Sequence, residues 1–196
     1  MRDFNYIFGI GPSKSGTHSL WEALNTLGVR CLHFGNDHYL TTQKQPDAIA
    51  SSLKANKNIE KKLPFLTGIP EYDAYIDWPI HEIDPAVLDK QYPDSLFILT
   101  YRNPDDVALS MARMWLTFQR DKKHSTNYEY YADRARRIYT RALTFAASLP
   151  DRFLIIDTCV PGAVNTKKLA NFLDIPASDK KWPHGFNHQD WYQKDA

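Results

Sequence analysis

The sequence predicts an α/β protein built in three layers, with helices on both faces of a central, mainly parallel sheet. Three observations predict it. An apolar run ending at Ile10 passes through glycines and a short polar loop straight into amphipathic helix spacing, and the apolar run Val29–Phe34 completes a βαβ unit. A second strand–loop–helix junction follows Ser95–Tyr101. The balance of 43% hydrophobic and 24% charged residues over 196 residues suits one ordinary domain with a substantial core, so a single domain is expected over residues 1–196.

The first strand, Asn5–Ile10, is apolar throughout, as a central parallel strand covered on both faces should be. Helix spacing then runs from Gly16 to Leu27, with Leu20, Ala23, Leu24 and Leu27 on one side and Gly28 as the stop. From 35 to 68 the pattern weakens. Pro46–Asn56 has helix spacing and Asn58–Lys62 is polar, so this region reads as a cap or insertion over part of the site. Ala74–Trp78 is a short strand. Pro85–Lys90 reads as a helix with Asp84 as its N-cap and Pro85 at its first position.

Ser95–Tyr101 is the clearest strand. Beyond it, Asn103 can cap, Pro104 suits a first helical turn, and Asp105 and Asp106 complement the helix dipole. That helix carries Val107, Met111, Met114, Trp115 and Phe118 at helical spacing. A long helix is expected over Tyr128–Leu149, its aromatics serving the core, then a buried strand at Phe153–Asp157 and a last helix at Thr166–Leu173. The tail from Trp182 to His188 has no regular pattern and is rich in donors and aromatics.

Composition excludes several classes. A net charge of +1 gives no field that would recruit nucleic acid or an anionic membrane. No run approaches the roughly 20 apolar residues of a membrane span. The amino terminus runs directly into a strand, so no secretory leader is expected, and Cys31 and Cys159 read as two buried thiols, so a reducing, cytoplasmic setting is expected. No metal-ligand spacing occurs.

The loop Gly11-Pro12-Ser13-Lys14-Ser15-Gly16-Thr17-His18 offers backbone N–H groups at a helix start, with a lysine and several hydroxyls beside them, which is a cradle for a phosphate or sulfate. It is not a nucleoside-triphosphatase loop: Thr17, not lysine, follows Gly16, and the lysine stands two residues earlier. Nor is it a dinucleotide fingerprint, since position 14 is lysine where a third glycine belongs.

Pro-Ser-Lys-Ser-Gly-Thr at 12–17 resembles the 5′-phosphosulfate loop of sulfotransferases that use 3′-phosphoadenosine 5′-phosphosulfate (PAPS), commonly Pro-Lys-Ser-Gly-Thr. The stretch Arg102-Asn103-Pro104-Asp105-Asp106-Val107-Ala108-Leu109-Ser110 resembles that family's 3′-phosphate site, an arginine at a strand end with a serine eight residues on. Arginine can fork onto a phosphate and a serine two helical turns later adds a hydroxyl. Ile76-Asp77-Trp78-Pro79 stands where cytosolic members carry Thr-His-Leu-Pro, whose histidine is the base. The resemblance implies a P-loop-like sulfotransferase fold with PAPS as co-substrate and no metal. It implies donor contacts from Ser13, Lys14, Ser15, Gly16, Thr17, His18, Arg102 and Ser110. Lys14 would neutralise the leaving phosphate. Asp77 would be the base, its carboxyl raised by desolvation beside Trp78; His81 is the alternative, with His33 and His38 more distant.

The chain departs from the family in two places. Ser19 stands where many members have an adenine-stacking tryptophan, Trp21 being expected elsewhere on the helix. The late Arg-Lys-Gly motif is missing, with Lys180, Lys181 and His184–His188 as possible substitutes. The acceptor would be a small molecule or glycan bearing a hydroxyl or amine. Two other readings stay open: a P-loop-like nucleotide or small-molecule kinase, and a binding protein that keeps the donor site without turnover.

Overall fold

The computed structural model describes residues 3–34, 48–117, 127–160, 162–176 and 183. Among these residues five strands form one parallel sheet in the order β2-β3-β1-β4-β5: β1 (Ile7–Gly9), β2 (Cys31–His33), β3 (Ala74–Ile76), β4 (Leu96–Tyr101) and β5 (Phe153–Asp157). Register is set at the centre, where Ile7 of β1 lies opposite both Ala74 and Leu96. The side-chain period of two sends alternate residues to opposite faces. Phe8, Leu32, Tyr75 and Phe97 enter one core; Ile7, Cys31, Ala74 and Ile98 enter the other.

Among the described residues six α-helices supply the two outer layers: α1 (Thr17–Thr26), α2 (Ala48–Glu60), α3 (Pro85–Gln91), α4 (Pro104–Thr117), α5 (Tyr128–Ala146) and α6 (Gly162–Phe172). Leu20, Ala23 and Leu24 of α1 and Leu169 of α6 cover the second face. Ala48 and Ala55 of α2, Leu88 of α3, Val107 of α4 and Ala135, Tyr139 and Ala142 of α5 cover the first. Fully burying one large side chain such as Phe97 contributes about 1.5–3 kcal/mol, so both faces stabilise the sheet. The predicted three-layer α/β architecture is the one observed.

Local signals were kept. Asp84 caps α3 by accepting from the Ala86 N–H at 3.0 Å, and Asn103 accepts from the Asp105 N–H at 2.9 Å. Elsewhere boundaries moved. Helix α2 runs on through Asn58, because that side chain is buried and donates to the carbonyls of Phe65 and Thr67, both at 2.9 Å. The described part of the expected cap, from residue 48, thus joins the core through Ala48, Ala55 and Phe65. Helix α6 begins at Gly162 rather than Thr166. Cys31 is buried as expected, but Cys159 is exposed, lying in the turn just beyond β5. Residues 35–47, with His38, Phe118, and the Lys180, Lys181 and His184–His188 stretch lie outside the described residues. Among the described residues no helix is long and apolar enough to cross a membrane.

Candidate active site

Strand order reverses between β1 and β4, since β1 leads to β2 and β3 on one side and β4 to β5 on the other. In open parallel sheets, ligands bind outside the carboxyl ends of strands at such a switch point. Both motif-bearing junctions leave the sheet there.

The loop after β1 is pressed against the ends of its neighbours. A Cβ on Gly11 would lie 2.1 Å from Thr100 Oγ1, and one on Gly16 would lie 2.4 Å from Thr158 Cγ2, so neither position accepts a side chain. Lys14 and Gly16 both have left-handed backbones, φ 71° and 103°. Ser15 Oγ donates to the Pro12 carbonyl at 2.6 Å and lies 2.6 Å from Thr100 Oγ1. Gly16 starts α1 without a side-chain cap, and the first turn holds no acidic residue, which leaves its amides and the positive helix end for an anion.

Asp77, just beyond β3 and itself left-handed at φ 76°, holds the loop from the other side. Its carboxylate accepts from Ser13 Oγ, from Thr17 Oγ1 at 3.0 Å and from the Trp78 N–H at 2.7 Å. His33 Nε2 lies 3.3 Å from Asp77 Oδ2, and His81 Nδ1 lies 3.7 Å from Oδ1. Burial pushes the carboxyl up, but the facing His33 and His81 and the bonds from Ser13 and Trp78 outweigh it and hold it below the usual carboxylate range. This corrects the expected upward shift: desolvation is only one influence, and the Ser13 and Trp78 donors with the two facing imidazoles outweigh it.

His81 is sealed. Its side chain is fully buried, and its Nε2 lies 3.2 Å from an Arg134 guanidinium nitrogen, which can only donate. Burial drives its pKa down to about 4, against an opposing pull from Asp77. Arg134 also pairs with Glu82, and Arg141 donates to the carbonyls of His81 and Glu82. The imidazole is therefore neutral at pH 7 and backs Asp77 from inside. His33 sits at the end of β2, its side chain 14% exposed, with Thr17 Oγ1 at 3.3 Å. His18 meets it edge-on, ring centroids 5.9 Å apart, and Trp21 packs against both rings, with centroids 5.1 and 6.4 Å away, while donating to the Cys31 carbonyl at 2.9 Å.

At the second junction the Arg102 guanidinium donates to the Lys14 carbonyl at 3.4 Å, and its main-chain N–H donates to Tyr139 Oη at 3.1 Å. Ser110 lies two turns into α4, partly exposed. A family model described as a sulfotransferase domain matches residues 6–153. The chain belongs to the sulfotransferase family.

Solved structures agree on the fold. A sulfotransferase from Alicyclobacillus acidocaldarius superposes with a TM-score of 0.54 at 14% identity, over 95% of this chain and 87% of that one. The sulfotransferase domain from the curacin biosynthetic pathway gives 0.51 at 17%, over 91% and 77%. A sulfotransferase from Mycobacterium avium gives 0.56 at 12%, over 91% and 66%. No curated protein matches the chain. Family and fold together support sulfotransferase activity in general.

Within this sulfotransferase the predicted residues divide in two. Lys14, Gly16 and Arg102 gather at the switch point, while the Ser13, Ser15 and Thr17 hydroxyls are already engaged with Asp77, Pro12 and Thr100. Sequence reasoning missed Thr100, Tyr139 and Thr158. Thr158 Oγ1 lies 3.1 Å from the Ser15 carbonyl and 2.9 Å from that of Tyr101. Nothing local marks these three; sheet order brings Thr100 and Thr158 to the loop, and the docking of α5 brings Tyr139. Among the described residues no group of three or more His, Cys, Asp or Glu side chains is arranged to hold a metal.

Proposed function

We propose that this sulfotransferase moves the sulfuryl group of PAPS to a hydroxyl or amine of a small-molecule or glycan acceptor. The observation that carries the reading is the contact of Arg102 with the Lys14 carbonyl, which sets a phosphate-forking side chain beside an uncapped helix start bearing a lysine. A ligand with two separated phosphate-like ends suits such a pair of sites. The amides of Gly16 and Thr17 take the 5′-phosphosulfate, the Ser15 N–H being committed to the Pro12 carbonyl at 3.1 Å, with His18 at its edge, and Arg102 with Ser110 takes the 3′-phosphate. The acceptor oxygen or nitrogen bonds to sulfur as the bond from sulfur to the 5′-phosphate oxygen breaks. That oxygen keeps the electron pair, and the Lys14 ammonium neutralises it. No metal enters these steps.

The acceptor's proton goes to the Asp77–His33 pair. Asp77 spends its lone pairs on the loop, whereas the imidazole of His33, 3.3 Å from the carboxylate, keeps a second ring nitrogen to take the proton. His81, sealed behind, supports Asp77. A cytoplasmic setting supplies the donor. The test is binding of 3′-phosphoadenosine 5′-phosphate (PAP) against adenosine 5′-monophosphate, followed by transfer of labelled sulfate from PAPS to a panel of phenols, alcohols and sugars. Equal binding of the two nucleotides would sink the donor assignment. A second reading, a PAPS-binding protein without turnover, draws on the donors that crowd Asp77; selective PAP binding with no transfer to any acceptor or to water would favour it.

A further inference from the structure

The loop after β1 and the arginine after β4 are joined by more than the Arg102–Lys14 contact. Tyr139 rises from α5, 4% exposed, and its ring packs on Tyr101 with centroids 4.8 Å apart. Its Oη accepts the Arg102 main-chain N–H at 3.1 Å and faces the Ser15 hydroxyl. Burial drives this phenol well above its ordinary range, while the Arg102 amide and the Ser15 hydroxyl pull the other way. On the other flank the single hydroxyl of Thr158 lies against two carbonyls, Ser15 of the loop and Tyr101 of the strand end. Each side chain thus touches both junctions and reaches them from a different element.

We propose that Tyr139 and Thr158 are positioning residues that fix the spacing between the two ends of the donor site, so that the 5′- and 3′-phosphate subsites bind as one unit. The proposal rests on the PAPS reading above. Neither residue is asked to touch the ligand. The spacing matters only to a ligand that spans both subsites: a nucleotide with one phosphate settles into its own subsite and leaves the other to relax. The ladder between the two strands ends where the Ile10 N–H donates to the Ile98 carbonyl at 2.9 Å, and the Ser15–Thr100 hydroxyl contact holds the loop to β4 beyond it. Tyr139 and Thr158 extend this tie to Arg102 and to the end of the strand.

The experiment is calorimetric titration of PAP, adenosine 5′-monophosphate and adenosine 3′-monophosphate into the wild-type protein, Tyr139→Phe, Thr158→Val and Thr158→Ser. Phe keeps the ring packing and Val keeps the contact with Gly16, so both variants remove a polar link and little volume. PAP should weaken at least about tenfold in Tyr139→Phe and Thr158→Val, equivalent to about 1.4 kcal/mol. Each monophosphate should weaken less than about threefold, because only the coupling between subsites is lost. Thr158→Ser, which restores the hydroxyl, should restore the preference for PAP. A purely structural role would weaken all three ligands alike, and that result overturns the proposal, as does PAP affinity unchanged in both variants. If one variant fails to fold, the other carries the test. A wild-type protein that does not prefer PAP to the monophosphates removes the donor reading and this inference together. A preference that survives both substitutions removes the inference alone.

Discussion

Arg102 donates its guanidinium to the main-chain carbonyl of Lys14 at 3.4 Å, across 88 residues of sequence. The contact points the arginine toward the loop and leaves the lysine side chain uncommitted by it. Two positive groups therefore meet at one strand switch point with different partners.

Replacing Lys14 by Ala should lower turnover at least ~100-fold, the usual loss for one transition-state donor, while PAP, which lacks the transferred group, keeps most of its affinity. Arg102→Ala should do the reverse to binding, weakening PAP far more than adenosine 5′-monophosphate. Steady-state rates and titrations of the two variants check both halves. Near-normal turnover in Lys14→Ala would remove that residue from the chemistry.

His33→Asn should cut turnover by about 10²–10⁴-fold, the range for a positioned general base, with PAP binding within a few-fold of wild type. Asp77→Asn should be worse in both respects, because it releases Ser13 and Thr17 as well as His33. Near-normal turnover in His33→Asn would return the proton to another group.

Stability should depend on pH through His81. Its folded pKa is about 4 against 6.5 for the free side chain. The unfolded chain takes up this proton as pH falls through 6.5 and the folded chain only near 4, so the contribution is whole above that window and drains away across it. The loss is on the order of a few kcal/mol. Urea unfolding at pH 7.5, 6 and 5 should show it in the wild type, and His81→Asn, which cannot titrate, should flatten the slope. Asp77, held below its usual range, adds a further loss only below 3.8.

Gly11→Ala should destabilise the fold and the site together. The new Cβ would meet Thr100 Oγ1 at 2.1 Å and the Thr100 carbonyl at 2.7 Å, so the loop must lift off β4. Overpacking of this kind costs about 1–3 kcal/mol. Thermal melting and PAP titration should both report it; an unchanged melting temperature would contradict the close approach.

The fold was legible because its signals are local. Strand β5 matched Phe153–Asp157 residue for residue, and Asp84, Pro85 and Asn103 announced their helix starts within a few positions of themselves. The two phosphate junctions were legible for the same reason, each being one continuous motif. What stayed hidden depended on elements distant in sequence. Tyr139 reads as one more aromatic on a helix until α5 docks over β4, and Thr158 as a turn residue until β5 lies beside β4. Asp77 was found, but its charge state was misjudged, since its partners come from β2, the loop and the turn after β3. The exposure of Cys159 likewise follows from where β5 ends, which apolar flanking residues do not reveal.

Lys14 and Asp77 share a consequence for directed evolution of this chain. Both hold positive φ, 71° and 76°, where an L residue with a side chain pays about 1–2 kcal/mol that glycine does not. Selection for heat resistance alone should push both positions toward glycine or asparagine. Selection for sulfated product should push them back. A library sorted in turn under the two regimes would therefore read out, at these two codons, how much folding free energy the chain gives up to keep an amine and a carboxylate where they stand.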